Sequence, residues 1–445
     1  MGKSTSLYIL ISLIGLLGVI ALTGALRHQH HRAAGQARLS APFYDTISKT
    51  WMVTLSMPRG VRKIYNAQEP FARALDMLAN AAAVGVPKTL KIETGHYVFS
   101  RPLIFKEVHA GIALIGAPHR VRPLTRQTIS VDRYRKQINQ LAPQLPIIDG
   151  NGVTSFLVLD GVAADAHLAT TVAGFYMIGQ MAGLGGTYYP DFSYRIGDEK
   201  FRRKDGYYTR YAFNDGGVVS VLGNSSVTLE NNIIDHPMAY QCGGVLRNEQ
   251  YGDSEVMRAS LVRDNLVINP FAWHTGAFVD NNTGAFAKVV SNQIVVDQQM
   301  PHPVGLITNF DGAFLVIENN RIVDARPSKQ KVPTIGIRIL GRPEGVIRSK
   351  NTFEEIDTPL DHIADGGPPF PPHRSFYFLI KKTKALKLLK TVFNDRQFVM
   401  PGHWPDEIAP LVRTRDFEKN NPHRIAMLKK HFMKLRANMQ ERLRS

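Results

Sequence analysis

The apolar and polar positions from about residue 216 to residue 356 repeat with a long period. Each repeat contains an apolar run, an asparagine and a second apolar run, and successive asparagines are 33, 27, 28 and 31 residues apart. The five asparagines are Asn232, Asn265, Asn292, Asn320 and Asn351. A glycine leads each repeat, at Gly217, Gly244, Gly276, Gly305 and Gly336. A fixed period with strand-like patterning is typical of a β-solenoid, in which one repeat forms one coil.

Each repeat predicts three short strands. The glycine-led run is the first strand, the run before the asparagine is the second, and the run after it is the third. We expect the asparagine at the tight turn between the second and third strands, because its short side chain bonds nearby backbone and tolerates a left-handed conformation. Stacked asparagines could then bond to each other along the axis. The alternative is a β-sandwich, but sandwiches have turns about every 8–12 residues and no long period.

The chain before the repeats contains a candidate membrane anchor and a candidate capping helix. Residues 7–26 form an apolar run long enough to span a bilayer as a helix. Residues 1–32 are therefore interpreted as an uncleaved anchor, with a cleaved signal segment as the alternative. Residues 33–65 are interpreted as a linker. From Gln68 to Val84 the apolar spacing predicts an amphipathic helix, with Phe71, Leu75 and Leu78 on its buried face.

The block that follows this helix resembles a known family. In Lys88–Phe105, the turn Gly95-His-Tyr97 and the run that begins at Pro102 are similar to the start of proteins of the pectate-lyase-like (pectin lyase fold) superfamily. The resemblance covers roughly residues 65–360. It implies an all-β fold, a right-handed parallel β-helix with three strands per coil and a helical N-terminal cap. The β-helix domain is expected over residues 66–365, followed by a basic, partly helical extension over residues 366–445.

Two inserts interrupt the early repeats. The first, from His119 to Leu145, has six lysines and arginines against one acid, and we interpret it as a solvated loop. The second, from Gly185 to Asp215, is rich in tyrosine and arginine. Tyrosines can stack on sugar rings while arginines bind carboxylates, so this insert is either a wall of a glycan groove or a solvated loop.

Composition and charge narrow the class of partner. The chain has 445 residues, of which 44% are hydrophobic and 20% charged, as in an ordered protein, and its single cysteine, Cys242, excludes an internal disulfide framework. The formal charge is +17, and residues 374–445 hold 17 basic and 6 acidic residues, a net of +11. A basic surface suits an acidic polysaccharide, anionic lipid or nucleic acid. We favour a polysaccharide over nucleic acid. The extension could also contact a lipid surface or a partner protein.

The sequence gives two opposing indications of how the chain is oriented in the membrane. The basic residues after the apolar run would keep the body of the chain cytoplasmic under the positive-inside rule. Long domains, however, cross the membrane largely regardless of such charges. We expect a single-pass inner-membrane protein of the bacterial envelope with its β-helix in the periplasm.

The resemblance also implies where a substrate would lie, in a groove beside the first strands. The side chains of suitable type near that groove are catalytic candidates: Arg247, Glu249, His274, Asp280 and His236. The substrate-binding candidates are Tyr207, Arg210, Asp215, Trp273 and Asn309. A shift of one residue in a strand would turn these side chains inward, so their exposure depends on the register.

These candidates suit three reactions on a uronate-containing polysaccharide. A lyase or an epimerase needs a cation for the uronate carboxylate and a base, and a glycoside hydrolase needs two carboxylates. The sequence motifs of polygalacturonases, pectate lyases and alginate epimerases are absent, so a non-catalytic protein that binds polysaccharide or assists its export is the alternative. No metal or nucleotide motif occurs and we expect no cofactor. Calcium, with ligands from different coils, is the one ion left open.

Overall fold

The computed structural model describes residues 37–122, 130–160, 169–182, 216–222, 225–239, 242–249, 259–272, 275–282, 285–297, 305–310, 313–326, 333–340 and 346–363, together with residue 430. The predicted anchor, the insert over residues 185–215 and nearly all of the C-terminal extension lie outside this part. Within it, no helix is long and apolar enough to cross a membrane.

The described strands form three sheets, and strands are numbered in chain order. The first sheet contains β7 (Leu103–Phe105), β10 (Leu157–Asp160), β13 (Val219–Leu222), β17 (Leu246–Glu249), β21 (Val279–Asn281), β24 (Gly305–Asn309), β27 (Ile335–Leu340) and β30 (Thr358–Ile363). The second sheet contains β1 (Arg38–Leu39), β2 (Phe43–Asp45), β3 (Thr50–Ser56), β5 (Lys88–Ile92), β8 (Ile112–Ile115), β11 (Thr170–Ala173), β14 (Val227–Glu230), β18 (Ser260–Arg263), β22 (Phe286–Val290), β25 (Phe314–Glu318) and β28 (Val346–Ser349). The third sheet contains β4 (Lys63–Tyr65), β6 (Gly95–Val98), β9 (Pro146–Thr154), β12 (Tyr176–Ala182), β15 (Ile233–Asp235), β16 (Met238–Ala239), β19 (Leu266–Ile268), β20 (Phe271–Ala272), β23 (Gln293–Val296), β26 (Arg321–Asp324) and β29 (Thr352–Glu354).

Strands that follow each other in sequence belong to different sheets. The chain passes from β13 in the first sheet to β14 in the second and β15 in the third, and then repeats this order with β17, β18 and β19. Each strand pairs in parallel with its counterpart one repeat later, as β13 does with β17 and β17 with β21. Among the described strands, only β1 and β2 pair antiparallel, both with β3. The predicted all-β class with stacked parallel strands is confirmed, and the arrangement is compatible with a β-helix.

The core lies between the three sheets. Side chains alternate between the two faces of a strand, so every second residue points to the core. Val219, Leu246 and Val279 occupy one such row of the first sheet and belong to one continuous apolar cluster. Near the N-terminal end this cluster is aromatic, with the Phe71 and Phe99 rings 5.2 Å apart and the Phe99 and Phe156 rings 5.3 Å apart. Each coil thereby buries its apolar face against its neighbours.

The predicted capping helix is present as α1 (Gln68–Ala81). Pro70 and Glu69 suit its first turn, where backbone N–H groups have no partner within the helix and a negative charge is favourable. The predicted buried face is confirmed, because the side chains of Phe71, Leu75 and Leu78 are fully buried in the core.

Residues 37–65 form strands β1 to β4 rather than a linker. They supply the first strands of the second and third sheets, and β3 pairs in parallel with β5. The apolar alternation in this segment is short: Val53 and Leu55 are the only buried apolar residues of β3, and Ile64 is the one in β4. So few apolar positions do not reveal a strand in the sequence, and only pairing with the next coil makes this segment regular.

A ladder of asparagine side chains joins the second sheet to the third. Asn265 Oδ1 accepts hydrogen bonds from the backbone N (3.0 Å) and Nδ2 (3.1 Å) of Asn232. Asn265 Nδ2 donates to Leu229 O (2.9 Å) and to Asn292 Oδ1 (3.0 Å). The same contacts continue through Asn320 to Asn351. The predicted bonding of stacked asparagines along the axis is confirmed.

The left-handed residue of each turn, however, is the one before the ladder asparagine. The positive φ angles belong to Asn231 (52°), Asp264 (55°), Ser291 (56°), Asn319 (54°) and Lys350 (50°). Because the preceding residue makes the turn, the asparagine that follows can point its amide into the core and bond to the next coil. The prediction that the ladder asparagine itself adopts this conformation is wrong.

The first insert is partly ordered on the third sheet. It contains helix α2 (Val131–Leu141), in whose first turn Arg133 donates its backbone N–H to Ser130 Oγ (3.2 Å). Tyr134 and Ile138 pack on Ile233 and other residues of the outer face of the third sheet. The described part of this insert is therefore a helix that covers a sheet face, and its interpretation as a solvated loop is wrong there.

Candidate functional site

One row of polar side chains runs along the outer face of the first sheet. The residues paired across β17, β21 and β24 in this row are Arg247, Asp280 and Thr308. Their neighbours in sequence, Leu246 and Val279, belong to the core, so this row points away from it. The row begins at Ser220 and continues to Arg338 and Asp361: Ser220, Arg247, Asp280, Thr308, Arg338 and Asp361.

Arg247 is the centre of this row. Its Nη1 donates a short hydrogen bond to Asp280 Oδ2 in the next strand. Its Nη2 donates to Glu249 Oε2 at 3.3 Å, two residues along the same strand. One guanidinium thus contacts two carboxylates. Three of the five predicted catalytic residues are brought together, because they lie on the same face of adjacent paired strands.

Arg247, Asp280 and Glu249 form a cluster with two threonines, called the Arg247 cluster below. Thr275 Oγ1 donates to Asp280 Oδ1 at 2.6 Å, and Thr308 Oγ1 accepts a hydrogen bond from the backbone N of Gly276 at 2.9 Å. Gly276 has φ +61°, which turns the chain back toward the strand that it precedes. A Cβ at this position would lie 2.5 Å from Asp280 Cβ. Gly276 is one of the glycines that lead the repeats. At this position only glycine lets the turn approach Asp280 so closely.

The cluster is almost fully enclosed. Asp280 has no exposed surface, Arg247 is 3% exposed and Glu249 is 6% exposed. Burial raises the pKa of Asp280, and the charge of Arg247 and the hydrogen bond from Thr275 offset only part of that effect. Asp280 is thus a carboxyl group that holds its proton more tightly than an ordinary aspartate.

Arg338 and Asp361, at the far end of the same row, form a second arginine–aspartate pair, which lies near solvent. Arg338 Nε donates to Asp361 Oδ2 at 2.8 Å. Both side chains are partly exposed, at 19% for Arg338 and 27% for Asp361. This pair has the same residue types and the same sheet position as Arg247 and Asp280 but a different environment.

Asn309, predicted to bind substrate, points the other way. It pairs with Asn281 in a row whose other members, such as Val221 and Ile339, belong to the core. Asn281 Nδ2 donates to Asn309 Oδ1 at 2.8 Å, and Asn248 Nδ2 donates to Asn281 Oδ1 at 2.8 Å. These three asparagines form a second ladder inside the coils. Its direction follows from the strand register, which the sequence leaves undetermined.

His236 lies in a different cluster, on the outer face of the third sheet. Its Nδ1 is 2.6 Å from Asp235 Oδ1, and its Nε2 is 3.0 Å from Asn269 Nδ2. Arg135 of α2 donates to Asp235 Oδ2 at 2.6 Å, and Tyr176 Oη donates to the same oxygen at 3.2 Å. The structure therefore separates His236 from the Arg247 cluster. It contacts Asp235 and Asn269 and lies 3.5 Å from Arg135 Nη2 of the insert helix.

The electrostatics of this second cluster are opposite to those of Asp280. Burial alone would raise the pKa of Asp235, but hydrogen bonds and charges from His236 and Arg135 outweigh burial and hold the pKa at about 2. Asp235 is a carboxylate with a lowered pKa that binds a helix to the sheet, whereas burial raises the pKa of Asp280.

The remaining predicted site residues lie outside the described part of the chain: His274, Trp273, Tyr207, Arg210 and Asp215. Thr275, which directly follows His274 in sequence, is the contact that sequence reasoning missed. Its position one residue before Gly276, a glycine that leads a repeat, is the signal that could have identified it. Among the described residues, no three His, Cys, Asp or Glu side chains are placed to hold a metal ion.

Comparisons with known proteins add no relative. A scan against protein-family models, a search of curated proteins and a search of solved structures each found no match to this chain. Function is therefore inferred from the chemistry of the Arg247 cluster.

Proposed function

We propose that the three sheets are the faces of a right-handed parallel β-helix with three strands per coil, of the pectate-lyase-like kind. The return of the chain to each sheet in a fixed order supports this proposal. So does the cap α1 over the first coils, because a solenoid needs its open end covered. In such a fold the outer face of the first sheet is the side on which a polymer would lie.

The proposed function is acid–base chemistry on an acidic, uronate-containing polysaccharide, as a lyase, an epimerase or a glycoside hydrolase. The observation that carries it is the contact of Arg247 with both Asp280 and Glu249 on that outer face. A guanidinium is the side chain best suited to bind a carboxylate with two parallel hydrogen bonds. Glu249 beside it can act as the base of a lyase or an epimerase, and the second carboxyl group that a hydrolase needs would be that of Asp280.

The contact lengths suggest how a substrate would enter this cluster. Glu249 is the more weakly held carboxylate, because its contact with Arg247 is 3.3 Å long and it is the more exposed of the two acids. In a lyase, a uronate carboxylate would replace Glu249 at Arg247, and the released Glu249 would take the ring proton next to that carboxylate. A double bond would form in the ring as the bond to the glycosidic oxygen breaks, and that oxygen would leave with a proton from solvent. Asp280, which Thr275 also holds, would stay paired and orient Arg247.

A second candidate is a non-catalytic protein that binds polysaccharide or assists its export. The observation in its favour is the burial of the cluster, in which Arg247 and its two acids already contact one another. In that case the ion pairs would stabilise the first sheet, and polymer would bind elsewhere on the basic surface. Both candidates are compatible with a single-pass inner-membrane protein whose β-helix lies in the periplasm.

The test uses the purified full chain and a panel of uronate polymers. Ultraviolet absorbance reports unsaturated lyase products, reducing ends report hydrolysis, and NMR of the polymer reports a changed sugar configuration. Turnover on one polymer should disappear in Glu249→Gln and Arg247→Lys. It should persist in Glu354→Gln, where the substitution removes an acid paired with Arg321 on the third sheet at 2.7 Å.

The outcomes separate the two candidates. Polymer binding without turnover, unchanged in Glu249→Gln, would establish the binding protein and reject the enzyme. Turnover that survives Glu249→Gln and Arg247→Lys would place the chemistry outside this cluster. The absence of both binding and turnover across the panel would reject both candidates.

A further inference from the structure

Exposed apolar side chains are concentrated at one end of the stack. The seven large apolar side chains that are exposed in the described residues all lie between residues 43 and 108: Phe43, Tyr44, Ile47, Tyr65, Val84, Val86 and Val108. The most exposed are Ile47 at 92% and Tyr65 at 69%. Exposed apolar side chains that adjoin one another mark interaction or membrane sites more often than scattered ones do.

The most exposed residue sits on an ordered turn. Strands β2 and β3 pair as an antiparallel hairpin at the outer edge of the second sheet, with Tyr44 opposite Trp51. In the turn between them, Asp45 accepts hydrogen bonds from the backbone N of Ile47 (3.3 Å) and of Ser48 (3.2 Å). Ile47 is therefore held at the tip of the hairpin, with Phe43 and Tyr44 beside it on β2.

The same segment is strongly basic. Residues 37–65 contain one acid, Asp45, whose oxygens bond to the turn. They contain five basic residues, all of them exposed: Arg38, Lys49, Arg59, Arg62 and Lys63. Aromatic and aliphatic side chains beside lysine and arginine are the combination that enters the interface of an anionic lipid surface.

The position of this segment in the chain points to the same partner. Ten residues, 27–36, separate the apolar run 7–26 from residue 37. An extended chain covers at most about 3.6 Å per residue, so ten residues reach roughly 36 Å. If the run spans a bilayer, the first coil is held near the headgroups.

We propose that the N-terminal end of the stack, residues 37–65, rests on an anionic lipid surface with Ile47, Phe43 and Tyr44 inserted at the interface. This proposal rests on the predicted anchor and is independent of the polysaccharide chemistry. It fixes which end of the stack faces the membrane. The outer face of the first sheet would then stand away from the bilayer and along its normal, where a polymer can reach it.

The test places a polarity-sensitive fluorophore at two positions of the full chain. In a Cys242→Ala background, Ile47→Cys labels the hairpin tip, and Arg348→Cys labels an exposed site on β28, the last described strand of the same sheet. Each protein is reconstituted in vesicles of phosphatidylcholine and phosphatidylglycerol with brominated acyl chains. The label at position 47 should shift to the blue and be quenched by bromine, and the label at position 348 should do neither.

The charge requirement is tested in the same system. Lys49→Glu combined with Arg62→Glu should remove the quenching at position 47, while flotation of the chain with vesicles reports the anchor separately. Equal behaviour of the two labels overturns the proposal, whether or not the chain floats. A blue shift at position 47 that depends on protein concentration and not on lipid overturns it in favour of contact between two copies of the chain.

Discussion

Arg247 and Asp280 occupy equivalent positions in neighbouring strands of the first sheet, and the guanidinium of one pairs with the carboxylate of the other inside an enclosed row. Arg338 and Asp361 make the same pairing further along that row, where both side chains reach solvent. The two pairs are a natural comparison of one interaction in two environments.

Loss of the acid should lower the free energy of unfolding far more in the enclosed pair than in the partly exposed pair. Asp280→Ala leaves Arg247 buried without its main partner, which costs about 3–5 kcal/mol. Asp361→Ala removes a partly exposed partner, and we expect about 0–1 kcal/mol. Denaturant unfolding of both variants measures the difference. Equal destabilisation would show that the enclosure of Arg247 and Asp280 has no energetic consequence.

Substitution of an asparagine in the middle of the ladder should lower the free energy of unfolding more than substitution at its end. Asn265→Ala removes the acceptor of two hydrogen bonds from Asn232 and the donor to Leu229 O. Each buried group left unsatisfied costs about 1–3 kcal/mol. Asn351→Ala is the control, because Asn351 is partly exposed and water can replace its contacts. A larger loss in the free energy of unfolding is expected for Asn265→Ala, and a smaller one would contradict the ladder's role.

Acid should weaken the protein through Asp235. Its pKa falls from 3.8 to about 2 on folding, so the native state binds fewer protons than the unfolded state in this range. The corresponding stability, about 2 kcal/mol, is fully present above pH 3.8 and is lost as the pH falls toward 2. Asp235→Asn should flatten the plot of stability against pH in that window.

Asp264→Asn is the control for this titration. Asp264 is exposed, and asparagine tolerates its left-handed φ of 55°. The slope of stability between pH 3.8 and 2 is measured for both variants, and Asp235→Asn should change it more than this substitution does. Equal slopes in the two variants would show that Arg135 and His236 do not stabilise the charged form of Asp235.

The close approach of the Gly276 turn to Asp280 is tested by adding a methyl group. Gly276→Ala and Gly85→Ala both place alanine at positive φ, +61° and +93°. At Gly85 no atom lies within 4 Å of the new Cβ, whereas at Gly276 it meets Asp280 Cβ at 2.5 Å. Gly276→Ala should be more destabilising by about 1–3 kcal/mol, the usual cost of overpacking. Equal melting temperatures for the two variants would contradict the tight approach.

Much of the fold could be predicted from the sequence because it depends on local patterns of residues. The period of the asparagines, the strand-like alternation and the spacing of Phe71, Leu75 and Leu78 depend only on residues close in sequence. The strands of residues 37–65 could not be predicted in this way. Their few buried side chains become a pattern only when β3 lies beside β5.

The candidate site can be predicted from the sequence only in part. Residue type and position in the first strands identify Arg247, Glu249 and Asp280, and the structure joins these three residues. Asn309 met the same criteria and points to the core. The difference is one position along a strand, which reverses the direction of a side chain.

The sequence by itself determined the repeat, the positions of the ladder asparagines and the capping helix, since each follows from spacing along the chain. The tertiary structure decided which face of the first sheet each candidate occupies and how deeply it is buried. It also decided that the pKa of Asp235 is lowered whereas that of Asp280 is raised. Both are aspartates on the outer face of a sheet, and their different titration arises from partners that only folding brings near: Arg135 and His236 for one, and an enclosed row for the other.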